Sequence, residues 1–184
     1  FINKPSERDP SVPLRLAELM MEAGLPEGVL NVVNGDKEAV DALIEDPRVK
    51  AISFVGSSDI AQYIYANGAA HNKRVQAFGG AKNHMVILPD ADMENVVNQL
   101  IGSGYGSAGE RCMATPVAVP VGRDTAETLI EMLKPRVESL RIGPSMSEDS
   151  DLGPLVTAAH KKRVEGYIQM AIDEGQKCIV DGRG

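Results

Sequence analysis

Short apolar segments alternate with amphipathic segments along the whole chain, and this alternation limits the fold more than any other feature. Apolar runs predict strands within Phe1–Pro5 and over residues 29–33, 49–55, 74–78, 85–88, 116–121 and 178–180. Helical spacing of apolar residues predicts helices over residues 12–23, 37–46, 93–102, 125–140 and 158–174, and another that begins at Ser57 or Ser58. Repeated strand–helix units predict an α/β fold with largely parallel sheets.

The division of the chain is predicted from its most flexible point, Gly79-Gly80-Ala81. We expect one domain over residues 1–80 and a second over residues 81–184. The chain begins with Phe in a strand-like segment and ends in IVDGRG, where a predicted strand gives way to a turn. We therefore expect it to be a piece of a longer protein.

Composition excludes several classes of function. Hydrophobic residues make up 43% of the 184 residues, enough to bury a core, and the net charge of −7 argues against binding to a nucleic-acid backbone. No apolar run approaches the roughly 18 residues that a membrane span needs. Two cysteines and no export signal favour free thiols in a cytoplasmic protein.

A cysteine stands among small residues in the run GSAGERCMA, residues 106–114. The preceding Arg111 would favour the thiolate of Cys112, which is the nucleophilic form, and the glycines leave room for a substrate. A free cysteine is more often a small buried hydrophobe, so both interpretations of Cys112 stay open. Cys178, in KCIVD, fits the buried interpretation better.

Two glycine-containing segments are candidates for a nucleotide site. In SFVGSSDI a predicted strand runs into Gly56 and a helix follows from Ser57, so the helix N-terminus could hold a phosphate. An ordinary serine cap explains the same residues. Gly104–Gly109 matches G-x-G-x-x-G but follows a helix, so close backbone approach is the better interpretation.

Charged residues add a third candidate at the start of the chain. Lys4 and Glu7, in NKPSERDP, could bind phosphate and ribose hydroxyls, or could form a solvated loop. The three histidines, His71, His84 and His160, show no metal-ligand spacing, so no metal is expected.

Taken in order, NKPSERDPS, AGLPEGVLNVVNG, ISFVGSS, GAKNH with MVILPDADME, and GERCMA resemble the aldehyde dehydrogenase superfamily. The resemblance spans essentially the whole chain. GAKNH and GERCMA are most similar to its coenzyme A-dependent branch, which oxidises methylmalonate semialdehyde.

The resemblance implies a role for particular residues. Cys112 would be the catalytic nucleophile, Lys4 and Glu7 would hold the adenosine ribose of NAD, and Gly35 would line the adenine side. Gly56 and Ser57 would approach the pyrophosphate. Residues 1–80 would then end a Rossmann-like cofactor domain, and residues 81–184 would begin the catalytic domain.

The residue at position 78 departs from the hydrolytic members of the superfamily. They carry a general-base glutamate in E-L-G-G-K, where this chain has Phe78 in FGGAK. Phenylalanine cannot take a proton from water, which favours coenzyme A as the acyl acceptor. Glu110 is a possible substitute base, although its adjacency to Arg111 suggests an ion pair or an outward face just as readily. Arg111 would bind the carboxylate of a semialdehyde.

The resemblance implies an NAD-dependent oxidation of malonate or methylmalonate semialdehyde to acetyl-CoA or propionyl-CoA. The alternatives are a hydrolytic aldehyde dehydrogenase and a non-catalytic binding or structural module. The family's oxyanion amide, its nicotinamide-ribose glutamate and its oligomerisation segments would lie outside these residues. We therefore expect a homo-oligomer, dimer or tetramer, for the longer protein, and no activity from these residues alone.

Overall fold

The computed structural model describes residues 1–183. Two compact units form, one from residues 1–80 and one from Ala81 onward. Each is built of strands and helices that alternate along the chain, and every strand pair within the described residues is parallel. The expected α/β class with parallel sheets is therefore confirmed.

The first unit contains two parallel strand pairs and three helices. Its elements are β1 (Ile2–Asn3), α1 (Ser11–Glu22), β2 (Asn31–Val32), α2 (Lys37–Glu45), β3 (Ala51–Val55), α3 (Ser58–Ala70) and β4 (Arg74–Phe78). β1 pairs with β2, and β3 pairs with β4 so that Val55 faces Phe78 at the carboxyl ends. Its buried apolar residues are Ala17, Ile44, Ala61 and Ile64.

A buried lysine connects the end of α2 to the start of β4. The Lys73 ammonium donates hydrogen bonds to the carbonyls of Asp46 and Val49, at 2.6 and 2.7 Å. These bonds satisfy a buried charge that would otherwise be costly. They fix the turn that leads from α2 into β3.

The second unit contains one parallel strand pair and three helices. Its elements are β5 (His84–Ile87), α4 (Met93–Leu100), a π-helical turn (Ile101–Tyr105), β6 (Val117–Pro120), α5 (Arg123–Glu138) and α6 (Ala158–Asp173). Its core cluster packs β5 and α4 against α5 through Ile87, Val97, Leu100 and Leu129. Asp92 caps α4, because its side chain accepts a hydrogen bond from the Asn95 N–H.

One predicted helix ends early in the structure, and one predicted strand does not form. The helix predicted over residues 93–102 is α-helical only to Leu100, and the π-helical turn follows it. Ser103 Oγ, within that turn, donates to the Gln99 carbonyl of α4. Residues 178–180 form no strand, because they pair with no other segment of residues 1–183. No helix in that range has both the length and the apolarity to cross a membrane.

Candidate active site

Cys112 lies on a loop between the π-helical turn and β6, and its side chain is exposed. The Asn83 side-chain amide anchors this loop by donating to the carbonyls of Cys112 and Ala114, at 3.0 and 2.8 Å. Ala114 is buried. The backbone around the thiol is therefore anchored while the sulfur stays open to a substrate.

Three consecutive residues before this loop have a left-handed backbone. Ser107, Ala108 and Gly109 have φ of 53°, 54° and 72°. A left-handed residue other than glycine costs about 1–2 kcal/mol, so Ser107 and Ala108 store strain. These three residues turn the chain sharply between the π-helical turn and Glu110. The Glu110 N–H donates to the Ser107 carbonyl at 3.0 Å.

The Arg111 guanidinium folds back over Gly106. Its Nε donates to Ser107 Oγ at 3.2 Å and its Nη1 to the Gly102 carbonyl at 3.4 Å. Both acceptors are neutral, and no carboxylate within residues 1–183 forms an ion pair with Arg111. Its positive charge is therefore not neutralised by a carboxylate of the described residues.

The Glu110 carboxylate contacts His160 and not the adjacent Arg111. Its Oε1 lies 2.8 Å from His160 Nε2, and His160 Nδ1 lies 2.8 Å from Arg163 Nη2. The carboxylate is therefore engaged with α6 and not with its neighbour Arg111. Sequence reasoning missed His160 because it is 50 residues away from Glu110 and no local motif joins them.

The glycines of the G-x-G-x-x-G match permit close contacts. A Cβ at Gly106 would lie 2.9 Å from Arg111 Nη1, and one at Gly109 would lie 3.1 Å from the Gly104 carbonyl oxygen. The segment follows a helix and includes the left-handed turn, so it is not a strand-to-helix phosphate loop. The close-approach interpretation fits this geometry.

Cys178 is exposed, so the prediction that it is buried is wrong. Residues 178–180 form no strand that would place the side chain within a sheet of the described residues. Its thiol donates a weak hydrogen bond to the Val180 carbonyl, at 3.4 Å. Exposure alone therefore does not distinguish the two cysteines.

In the first unit, Lys4, Glu7 and Gly35 come together at the carboxyl ends of β1 and β2. Lys4 Nζ donates to the Gly35 carbonyl at 2.9 Å and to the Pro5 carbonyl, and lies 4.0 Å from Glu7 Oε2. The Glu7 side chain keeps 39% exposure, so its oxygens can still accept hydrogen bonds. A Cβ at Gly35 would lie 2.7 Å from Ala39 Cβ, so only glycine fits at the start of α2.

Gly56 and Ser57 occupy the turn from β3 into α3. The Gly56 N–H donates to the Phe78 carbonyl at 3.1 Å, and a Cβ at Gly56 would overlap the Phe54 ring. Ser57 is the N-cap residue of α3, but its side chain accepts no hydrogen bond from the helix. Ser58 Oγ instead accepts from the Gly80 N–H at 3.0 Å. The expected serine cap does not form, and the N-terminal amides of α3 receive no side-chain cap.

The pattern of the aldehyde dehydrogenase family matches residues 1–184. The chain belongs to the aldehyde dehydrogenase family. It is 60% identical over 184 residues to malonate-semialdehyde dehydrogenase of Pseudomonas aeruginosa. The match covers 100% of this chain and 37% of that relative.

Solved aldehyde dehydrogenase structures superimpose closely on this chain. One, from Sinorhizobium meliloti, is provisionally named methylmalonate-semialdehyde dehydrogenase and is complexed with NAD; it has a TM-score of 0.95 and 62% identity, over 100% of this chain and 37% of that one. Another, betaine aldehyde dehydrogenase of Staphylococcus aureus in complex with NAD⁺, has a TM-score of 0.90 and 30% identity, over 99% of this chain and 36% of that one. The chain thus spans a little over a third of the length of the aldehyde dehydrogenases that it matches.

Proposed function

We propose that the intact protein carrying this chain oxidises a carboxylated semialdehyde with NAD⁺ and transfers the acyl group to coenzyme A. Malonate and methylmalonate semialdehyde would give acetyl-CoA and propionyl-CoA. The observation that carries the proposal is an exposed Cys112 thiol on an anchored loop, preceded in the chain by Arg111, whose charge no carboxylate of residues 1–183 neutralises. The names of the similar proteins support the same substrate class.

The proposed nucleotide-binding residues all belong to the first unit. Glu7 would accept hydrogen bonds from the ribose hydroxyls and Lys4 would donate to them, while Gly35 borders the adenine side. Gly56 and Ser57 would face the pyrophosphate, where uncapped helix amides favour an anion. Glu7 would repel a 2′-phosphate, which favours NAD over NADP. When bound, NAD⁺ supplies the acceptor for the hydride.

Residues 1–80 would accordingly form the C-terminal part of the NAD-binding domain, and residues 81–184 the N-terminal part of the catalytic domain. This assignment is supported by the placement of the proposed nucleotide-binding residues in one unit and of Cys112 in the other. Separate substitutions can therefore test the two groups of residues.

Cys112 would react first, as the thiolate, by forming a bond to the aldehyde carbon. The developing oxyanion needs donors, and the Cys112 N–H makes no hydrogen bond within residues 1–183, so it is available for this role. Loss of a hydride from the same carbon converts the thiohemiacetal into an acyl thioester on Cys112.

Release of the acyl group would depend on a thiol acceptor. Phe78 ends β4 with an exposed ring and carries no group that could take a proton from water. Glu110 is engaged by His160 and is therefore a poor substitute base. A thiol ionises far more easily than water, so the coenzyme A sulfur would displace the Cys112 sulfur and regenerate the enzyme thiol.

Arg111 would bind the substrate carboxylate before and during acylation. A guanidinium can hold a carboxylate through two parallel hydrogen bonds. A carboxylate beta to the thioester carbonyl can also leave as CO₂, because the carbonyl accepts the bonding electrons until a proton replaces them. Release of CO₂ before transfer explains how a semialdehyde of malonate would yield an acetyl group.

The test is the dependence of NADH formation by the intact protein on coenzyme A. With malonate semialdehyde as substrate, we expect sustained turnover only when coenzyme A is present. Equal turnover without it would indicate a hydrolytic aldehyde dehydrogenase instead. No turnover under either condition would favour a non-catalytic module.

A further inference from the structure

We propose that His160 and Arg163 hold the Glu110 carboxylate away from Arg111, and so keep Arg111 free for the carboxylate of the substrate. This inference rests on the proposed function, because it concerns how that function selects a charged semialdehyde. His160 is thereby a positioning residue that acts on specificity through Glu110.

The contacts form one continuous chain of hydrogen bonds from α6 to the thiol loop. His160 lies in the first turn of α6, where its N–H donates to the Thr157 side chain at 3.1 Å. Its ring joins Arg163 on one side and Glu110 on the other, each at 2.8 Å. The His160 side chain is only 24% exposed, so it is more constrained than the 42% exposed carboxylate that it holds.

Arg163 sets which ring nitrogen carries the proton. An arginine side chain has only N–H donors, so His160 Nδ1 must accept from Arg163. The proton of the neutral ring then lies on Nε2, which donates to Glu110. Arg163 thus orients His160 to bind the carboxylate without any need for a charged imidazole.

Without this restraint, Glu110 could pair with the residue that follows it. The chain itself provides an example, because Glu7 and Arg8 are also adjacent and form an ion pair at 3.5 Å. The same pairing at Glu110 and Arg111 would place an internal carboxylate where the substrate carboxylate must bind. Within residues 1–183, Arg111 instead bonds to Ser107 Oγ and the Gly102 carbonyl, which are neutral groups that a carboxylate can displace.

The experiment compares malonate semialdehyde with propanal, which has the same number of carbons and no carboxylate. In the intact protein, His160→Ala should raise the KM for malonate semialdehyde about three- to fivefold, as expected for competition by an exposed ion pair. The KM for propanal and kcat for both substrates should stay close to wild type. His160→Gln keeps an N–H donor and should restore much of the preference for malonate semialdehyde.

A double substitution separates this role from a general loosening of the loop. Adding Glu110→Gln to His160→Ala removes the competing carboxylate, so the KM for malonate semialdehyde should return towards wild type. His71→Ala is the matched control, since His71 is exposed and, among the described residues, its ring bonds to the Asn67 carbonyl of the preceding helix α3. Unchanged discrimination in His160→Ala, equal losses for both aldehydes, or no rescue by Glu110→Gln would each overturn the proposal.

Arg111→Gln tests the proposed function separately. It should lower kcat/KM for malonate semialdehyde relative to propanal by about tenfold or more, the loss expected for charge-assisted hydrogen bonds. If this ratio does not change, the assigned role of Arg111 fails. If it changes while His160→Ala has no effect, only the role of His160 and Arg163 fails.

Discussion

Both thiols of the chain are exposed, so a difference in their reactivity must come from their surroundings. Cys112 lies on the loop that the Asn83 amide anchors, whereas the Cys178 thiol donates to the Val180 carbonyl. In the intact protein we expect Cys112→Ser to lower kcat by several orders of magnitude, because serine is a far weaker nucleophile at neutral pH. Cys178→Ser should leave activity unchanged.

The accompanying measurement is the rate of iodoacetamide labelling at each cysteine by mass spectrometry. Cys112 should react faster than Cys178 at neutral pH. Equal rates, or full activity in Cys112→Ser, would contradict a catalytic thiol at position 112.

Phe78 is the second residue whose chemistry can be tested alone. Phe78→Glu places a carboxylate where the hydrolytic relatives carry a base, and a positioned base typically contributes about 10²–10⁴-fold. NADH formation without coenzyme A should therefore increase in this variant. Phe78→Gln is the control of similar size without a base, and an equal gain in both variants would rule out proton transfer as the cause.

Asn83 connects the loop before β5 to the loop that carries the thiol. Its amide makes two hydrogen bonds to loop carbonyls, each with a net value of about 0.5–1.5 kcal/mol. Asn83→Ala should lower kcat and reduce the free energy of unfolding by about 1–3 kcal/mol, measured by denaturant titration.

Asn83→Asp refines this test, because it keeps the shape of the side chain but loses both N–H donors. It should be impaired as much as Asn83→Ala. Asn67→Ala is the matched control, since the Asn67 side-chain amide donates to the Tyr63 carbonyl within α3 and to no loop carbonyl of residues 1–183. Wild-type kcat in Asn83→Asp would show that the hydrogen bonds do not position the thiol loop.

Asp151 closes the loop between α5 and α6. The Arg141 side chain, and then the Arg141 backbone N–H at 2.9 Å, lower the pKa of Asp151 below its ordinary value of 3.8. Because the folded-state pKa is depressed, the stabilisation is complete above pH 4 and is lost as the pH falls through the folded pKa.

The difference in melting temperature between wild type and Asp151→Asn should therefore be largest near neutral pH and decline below pH 4. High salt should reduce it, because the pair is exposed and screened. A difference that stays constant from pH 7 to the acid range would show that Asp151 acts through its shape and not through its charge.

At the scale of the whole molecule, a polypeptide of only these 184 residues spans 37% of a similar malonate-semialdehyde dehydrogenase. We expect such a polypeptide to form no NADH from malonate semialdehyde, because the resemblance places further catalytic groups outside these residues. The intact protein, assayed in parallel, is the control. Turnover by the short polypeptide at the rate of the intact protein would contradict the expectation.

The sequence predicted the order and type of nearly all elements, because the spacing of apolar residues is local information. β4, Arg74–Phe78, has the predicted bounds, and α6 ends within one residue of its prediction. The prediction of a strand at residues 178–180 was wrong, since a strand needs a pairing partner and the local spacing of apolar residues does not reveal one. The burial of Cys178 was wrong for the same reason.

The geometry of the candidate site was less predictable. Lys4 contacts both Gly35 and Glu7, and their binding of a nucleotide stays a prediction. The contact between Glu110 and His160 joins residues 50 positions apart and depends on how α6 packs. The anchoring of the thiol loop by Asn83 has a similar origin, although the residue itself stands in GAKNH.

The backbone of Ser107, Ala108 and Gly109 is left-handed over three consecutive residues. Valine or isoleucine at either of the first two positions would have to unwind the turn and would swing the sulfur to a new direction. The left-handed backbone therefore restricts which side chains evolution can place at positions 107 and 108, even if neither residue contacts a substrate.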